Sequence, residues 1–444
     1  MSSILAVMII VGAGSSLVMM RRTVRWNLVD VLTLIYLVSL HLRFTDGRSG
    51  AEAFGAVQAM KLLVWTAPLL LVLAPDRGGR RRFDLPRNGA AAFTLYLLLA
   101  LCLGTLVGPT MQNLVGVVWL AAGLVTARYL LLRHGIGGMT AVIATAICIQ
   151  TIMNGVWELG IDLAGLAAPP QLASLLGPRR LIGIGVHTNL VGRNGALLVL
   201  IAAFSPVFRR WPVSSRLPLL CTGSLVLLWS SSRSSIIAVV GTLAVVAALQ
   251  NAKNRSIALT GAGVALLAAF VSNVSISALQ ASYGRNGQAD ELTTLTGRTD
   301  VWAIAWREAL HRPLTGQGFA GSIDGLRQIV ELETGLPWAT HAHNWFLQTF
   351  HATGIVGLSL VLFAALSVAR VAIQPGTSAR FVGAIGVFTL VIGLTESPLG
   401  LLQTFLPAIM WMGCLIASSS APDPLGHRGP ERGAVRSPRF LARQ

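Results

Sequence analysis

Apolar runs of about 17–20 residues recur along almost the whole chain, and few folds can hold them. A helix rises 1.5 Å per residue, so about 20 apolar residues cross the roughly 30 Å hydrocarbon core of a bilayer. Charge points the same way. Asp, Glu, Lys and Arg make up 11% of the chain, and mean hydropathy is +0.68, where a soluble domain carries about 25% charged residues. The expected fold is therefore an all-α membrane protein, a polytopic bundle of about 12–13 transmembrane helices across 1–417. Spans are expected near 3–20, 27–42, 56–74, 89–107, 113–131, 138–157, 186–205, 217–230, 234–250, 256–273, 345–369, 380–395 and 400–417. The division between 217–230 and 234–250 rests on Ser231, Ser232 and Arg233 alone.

Basic residues orient the bundle, because Lys and Arg near span ends favour the cytoplasm. Clusters at Arg21–Arg25, Arg77–Arg87, Arg128–Arg133, Arg209–Arg216, Lys253–Arg255 and Arg370–Arg380 occupy every second loop. The loops between hold most of the acids, among them Asp290, Asp300, Glu308 and Glu331. This places the large loop at 274–342 outside and the C-terminus inside, with Arg179-Arg180 as the exception. The formal charge of +17 is thus mainly topology, and nucleic acid is not an expected partner.

The first apolar run lacks a basic segment ahead of it, so it reads as a retained helix rather than a cleaved signal. Cys102, Cys148, Cys221 and Cys414 all fall within expected spans, without metal spacing. Residues 418–444, rich in Pro, Gly and Arg, read as a disordered basic cytoplasmic tail. There is no phosphate-binding loop, no GxGxxG following a strand and no HExxH, so ATP hydrolysis is not expected of this chain.

The large loop reads as partly helical. Trp302, Ala305, Trp306, Ala309 and Leu310 fall on one apolar face after a Thr299 cap, fitting a helix on the membrane surface or under the loop. Arg312-Pro313, Gly316 and Gly318 end it, and a second short helix is expected from Ser322 to about Glu333. The two elements fit a lid and a substrate-positioning role equally well.

The loop closes on His341-Ala342-His343-Asn344, which opens an apolar helix. His343, Leu347 and His351 are expected on one face of it. His343 and His351 would stand about 12 Å apart, too far to share an ion, and no Cys or carboxylate adjoins them in sequence. Zinc needs three or four converging ligands, so no metal is expected. Two readings of His343 remain, a structural cap and a general base kept neutral by the helix N-terminus. Arg233, among Ser230, Ser231, Ser232, Ser234 and Ser235, fits an interface arginine or part of an anion cradle. Asn189 and Arg193 form a similar polar insertion at the outer end of another span.

His343-Asn344, nine residues, then Gly354-Ile355-Val356-Gly357 resembles the HNx9GxxG signature of the O-antigen ligase and polymerase family. Gly297-Arg298-Thr299-Asp300-Val301-Trp302, Pro313-Leu314-Thr315-Gly316-Gln317-Gly318 and Ser232-Arg233-Ser234-Ser235 resemble further elements of that family, as does Gly185 to Gly192 with Asn189. The similarity covers about 180–370; the first 180 residues match only as hydrophobic helices. Leu358 departs from the ligase motif, which often has Thr or Tyr there. The resemblance implies a metal-independent, cofactor-free glycosyltransferase of the cytoplasmic membrane with its active site outside. Its donor would be an undecaprenyl-diphosphate-linked glycan and its acceptor a sugar hydroxyl. His343 would be the base, and Arg233 and Arg298 would hold the diphosphate. Asn344, Asn189 and Arg193 would complete the substrate site beside the membrane lipids. The alternatives are a transporter, with paired charges near mid-bilayer, and a membrane glycosyltransferase of another fold using Asp46 or Glu52 as a carboxylate base.

Overall fold

The computed structural model describes residues 2–21, 23–24, 26–39, 88–107, 110–160, 180–181, 188–250, 298–318, 325–334, 341–396 and 406–419. The spans expected at 56–74 and 256–273 lie outside these residues, as do Asp46, Glu52, the Ser322 cap and nearly all of the tail.

Among the described residues all regular structure is helical. The helices are α1 (Ser2–Met20), α2 (Leu28–Ser39), α3 (Asn88–Val107), α4 (Thr110–Glu158), α5 (Thr188–Phe204), α6 (Val213–Ser230), α7 (Arg233–Gln250), α8 (Arg298–His311), α9 (Leu326–Thr334), α10 (Trp345–Ala369), α11 (Thr377–Gly393) and α12 (Leu406–Ser419). Four described segments are long and apolar enough to cross a membrane: Ser2–Met20, Leu120–Glu158, Val213–Ser230 and Trp345–Ile373. Shorter apolar helices of 10–17 residues accompany them. The close pair is resolved as two helices, because Ser231 takes a left-handed conformation (φ 51°) and ends α6 before α7 begins.

The bundle is apolar on its rim and polar in parts of its interior. Ile4, Val7, Met8 and Val11 of α1 and Leu28, Leu32 and Ile35 of α2 are exposed, apolar faces that water would not tolerate and lipid would. Gln150, Asn154, Asn189, Arg193 and Asn194 are instead buried. Gln150 donates to Leu37 O (3.0 Å) and accepts from Asn194 Nδ2 (2.9 Å). Close helix contacts use small residues, as bilayer packing favours. A Cβ added to Gly195 of α5 would stand 2.8 Å from Gly223 O of α6.

Helix α4 is interrupted at Gly135 (φ 66°), between the spans expected at 113–131 and 138–157. Beside that break the buried Asp30 accepts from Tyr129 Oη (3.0 Å), Asn27 N (3.0 Å) and His134 Nε2 (2.7 Å). Arg133 Nε lies 3.6 Å away. Four partners satisfy a carboxylate that would otherwise be costly to bury.

A second break matters more for the site. Gly354 inside α10 has φ 66° and ψ −170°. Trp345 rests on Gly393 of α11 and Ala369 rests on Gly386, where an added Cβ would lie 3.0 Å from Trp345 Cε3 and 2.5 Å from Ala369 N. Gly386 and Gly393 are separated by about 10 Å of helix, whereas a straight α10 would hold Trp345 and Ala369 about 36 Å apart. Helix α10 therefore turns sharply at Gly354. Its first arm is almost wholly buried, while its exposed large apolar residues, Ile355, Val356, Phe363 and Leu366, all follow the turn. The span expected at 345–369 is thus two arms, and the second presents the apolar rim.

The turn is filled by the loop after α8. Ile355 N donates to Pro313 O (2.8 Å) and Gln317 N donates to His351 O (2.8 Å). These bonds serve backbone groups that the broken helix leaves unsatisfied. A Cβ on Gly354 would strike Leu314 C and O, and one on Gly316 (φ 67°) would strike Ala352 C and Thr353 N. Two motif glycines far apart in sequence thus permit one backbone-to-backbone contact.

Candidate active site

Glu396 lies three residues beyond the end of α11 and is 3% exposed. Its amide donates to Ile392 O (2.9 Å), which continues the last turn of the helix and fixes the carboxylate. Oε1 accepts from Asn189 Nδ2 of α5 (2.6 Å) and from Arg298 Nη2 of α8 (3.1 Å). Arg298 Nη1 also donates to Thr395 O (2.5 Å). Arg193, one helical turn beyond Asn189, donates from Nε to Asn189 O (3.4 Å) and is buried within electrostatic reach of Glu396.

The two histidines meet this cluster. His343 Nδ1 stands 3.9 Å from Glu396 Oε2, an ion-pair separation when the ring is protonated. The His341 ring lies over it, with centroids 3.8 Å apart and planes inclined at 36°. Between them Ala342 is held at both backbone groups. Trp302 Nε1 of α8 donates to Ala342 O (2.7 Å), and Ala342 N donates to Gln348 Oε1 (2.8 Å). His343 itself is left-handed, φ 48°, a costly conformation that this clamp maintains.

Asn344 is the N-cap of α10. Its Oδ1 accepts from Leu347 N (3.0 Å), and its Nδ2 donates to Leu394 O (3.1 Å). His343 therefore stands ahead of the cap rather than in the first turn, and the face expected to join it with Leu347 and His351 does not form. His351 is buried in the first arm, and its carbonyl belongs to the Gly354 turn. Helix α8 also differs from expectation. It begins at Arg298, so Thr299 lies inside it, and its buried face is Val301, Ile304, Ala305 and Ala309. Val301, Ile304 and Ala305 pack with Leu326, Val330 and Ala342, which leaves Trp306 and Leu310 exposed. The second loop helix, expected from Ser322, is described from Leu326 to Thr334.

Burial pushes the Glu396 carboxyl up, but His343 and the guanidiniums of Arg298 and Arg193 outweigh it and hold the group well below the usual carboxylate range. Burial, reinforced by the neighbouring His343, holds His341 well below the usual imidazole range. Ligand atoms of His341, His343 and Glu396 all lie within 4.8 Å of one another, a group that the separate sequence positions conceal. Two features work against a divalent cation there. Arg298 and Asn189 already occupy one carboxylate oxygen, and the two arginines leave the cluster with excess positive charge. Such a surround suits an anion better.

Arg233 opens α7 with its side chain exposed, and it is not among the partners of Glu396. Four of the five serines around it, Ser230, Ser231, Ser232 and Ser235, bond within the α6–α7 turn. Ser230 Oγ bonds Leu227 O (2.8 Å), and the Ser232 and Ser235 hydroxyls bond each other (2.9 Å). The turn lies against α5, where a Cβ on Gly192 would strike Ser232, next in sequence to Arg193. Arg180, an exception to the charge pattern, donates to Ser230 O (2.8 Å) and Ser231 O (2.9 Å). A cation at the carbonyl end of α6 is electrostatically favourable, which gives this arginine a local reason to be there.

The model of the O-antigen ligase family matches residues 218–362. That segment carries an O-antigen ligase family domain. It covers 145 of the 444 residues, about a third, and includes Arg233, Arg298, His343, Asn344 and both glycines of the α10 turn. Comparison with curated proteins and with solved structures gives no match. The matched segment and the apolar helices support a membrane protein with O-antigen ligase-like glycan transfer in general. Asn189, Arg193 and Glu396 fall outside the matched segment and reach it only through the fold.

Proposed function

We propose that the chain transfers or polymerises glycan units from an undecaprenyl-diphosphate-linked donor to an acceptor sugar hydroxyl at the outer face of the cytoplasmic membrane. The observation that carries this reading is the meeting of His343 and Arg298, both in the ligase domain, on one buried carboxylate, Glu396. The acceptor oxygen attacks the anomeric carbon as the bond from that carbon to the diphosphate breaks. His343 takes the hydroxyl proton, and the diphosphate leaves with the bonding electrons. With Nδ1 turned to Glu396, Nε2 is the nitrogen that receives the proton, and Glu396 stabilises the resulting imidazolium. Arg298, Arg193 and Asn189 line the anionic side of the site, Arg233 reaches the leaving diphosphate, and Asn344 holds the start of α10 in place.

The test is transfer by purified protein in lipid discs supplied with a lipid-linked donor. Arg298→Ala and Arg233→Ala are each expected to lower the rate about tenfold to a hundredfold, the equivalent of about 1.5–3 kcal/mol per charge-assisted bond. Lys at either position would rescue in part, because a point charge replaces a two-pronged donor. Undiminished transfer by Arg298→Ala would remove it from the site. The proximity of His341, His343 and Glu396 favours one second reading, a metal-assisted transfer. Loss of activity on chelation, restored by a divalent cation, would select it over the metal-independent one.

A further inference from the structure

We infer that helix α8 and the loop after it are a lipid-binding element, with the stripe Trp306, Leu310 and Leu314 seated in the membrane surface. These side chains are 56%, 51% and 63% exposed, although the opposite face of α8 is already buried. The helix thus carries two apolar faces, and packing against α9 and Ala342 consumes only one.

Continuity with the apolar rim identifies what covers the other face. Leu314 belongs to the loop that fills the α10 turn, where Ile355 N bonds Pro313 O and Gly354 meets the Leu314 backbone. Ile355 and Val356, the first exposed apolar residues of the second arm, therefore adjoin the lower end of the stripe. At the other end the Trp306 ring leans on Phe350, with centroids 5.4 Å apart. A tryptophan stripe that continues a membrane-facing helix has the character of an interfacial anchor. Exposed Arg307, His311 and Arg312 border it and suit anionic headgroups, although Glu308 and Glu333 pair with Arg307. Because Arg298 begins the same helix and bonds Glu396, seating α8 in lipid also fixes the height of that guanidinium.

The experiment uses full-length protein in vesicles of phosphatidylethanolamine and phosphatidylglycerol. With the four native cysteines replaced, a spin label at Leu310→Cys is expected to collide more often with oxygen than with a water-soluble nickel chelate. A label at Arg327→Cys, exposed on α9, should show the reverse. A nickel-accessible label at Leu310 would overturn the inference. A second measurement keeps the native cysteines. The emission difference between the native chain and Trp306→Phe should be quenched by phospholipid brominated on its acyl chains. An unquenched difference would equally overturn it.

Discussion

Arg298 and Glu396 form a 3.1 Å ion pair that joins the first residue of α8 to the end of α11. The pair is nearly buried on both sides, and the same carboxylate oxygen accepts from Asn189. Replacing Glu396 by Gln keeps the shape and an acceptor but removes the charge that faces His343. Transfer is expected to fall by about tenfold to a hundredfold at normal protein level. Glu396→Ala leaves two guanidiniums uncompensated and should in addition destabilise the fold by about 3–5 kcal/mol. Rate assays and thermal melts of both variants separate the two effects, and a fully active Glu396→Gln would mean that the carboxylate only braces the bundle.

The two glycines of the HNx9GxxG pattern should differ. Gly354→Ala meets the fixed backbone of Leu314 and Thr315 at a positive φ, with costs of about 1–2 kcal/mol for the conformation and about 1–3 kcal/mol for overpacking. Gly357→Ala meets Thr353 at Oγ1 and Cβ, but at an ordinary helical φ, so it carries the overpacking cost without the conformational one. A lower melting temperature for the Gly354 variant than for Gly357→Ala is expected; equal melting temperatures would contradict the account of the turn.

Periodicity and charge made the helices legible, because a bilayer imposes length and polarity on every span. Motif order singled out His343 and Arg298, which the fold brings together on Glu396, and Arg233, which stands exposed at the start of α7. Glu396 was not legible, because a single acid after an apolar run, in Thr395-Glu396-Ser397-Pro398, has no pattern around it. Its one signal was rarity, a carboxylate at a span end in a chain with 17 acids. The α10 turn was equally hidden. Gly354 sits inside one expected span, 345–369, and only the inserted Pro313–Gly318 loop makes a bend there favourable. Helix α8 was read on the correct period, but its buried face is turned toward Val301 and Ile304, which the partners in α9 decide.

Acid should weaken the fold in two stages. His341 is held neutral in the fold, so the unfolded chain takes up its proton first, and stability falls as pH drops below about 6.5. Glu396 is held ionised, so its contribution is present above about 4.3 and is lost as pH falls further, through its depressed folded value. Melting temperature measured against pH should show a decline beginning in the His range, and His341→Gln should flatten that first part. An unchanged profile in His341→Gln would contradict the burial of this ring as its cause.

The central claim is that His343 takes the proton from the acceptor. Purified His343→Ala, assayed with a lipid-linked donor in the presence of a chelator, tests it most directly. Losing a positioned general base costs about 10²–10⁴-fold in rate. The account predicts a loss of that size with native melting behaviour, a much smaller loss for His341→Ala and His351→Ala, and no effect of chelator on the unaltered protein. Undiminished transfer by His343→Ala would contradict the account and reduce the residue to a structural element ahead of α10.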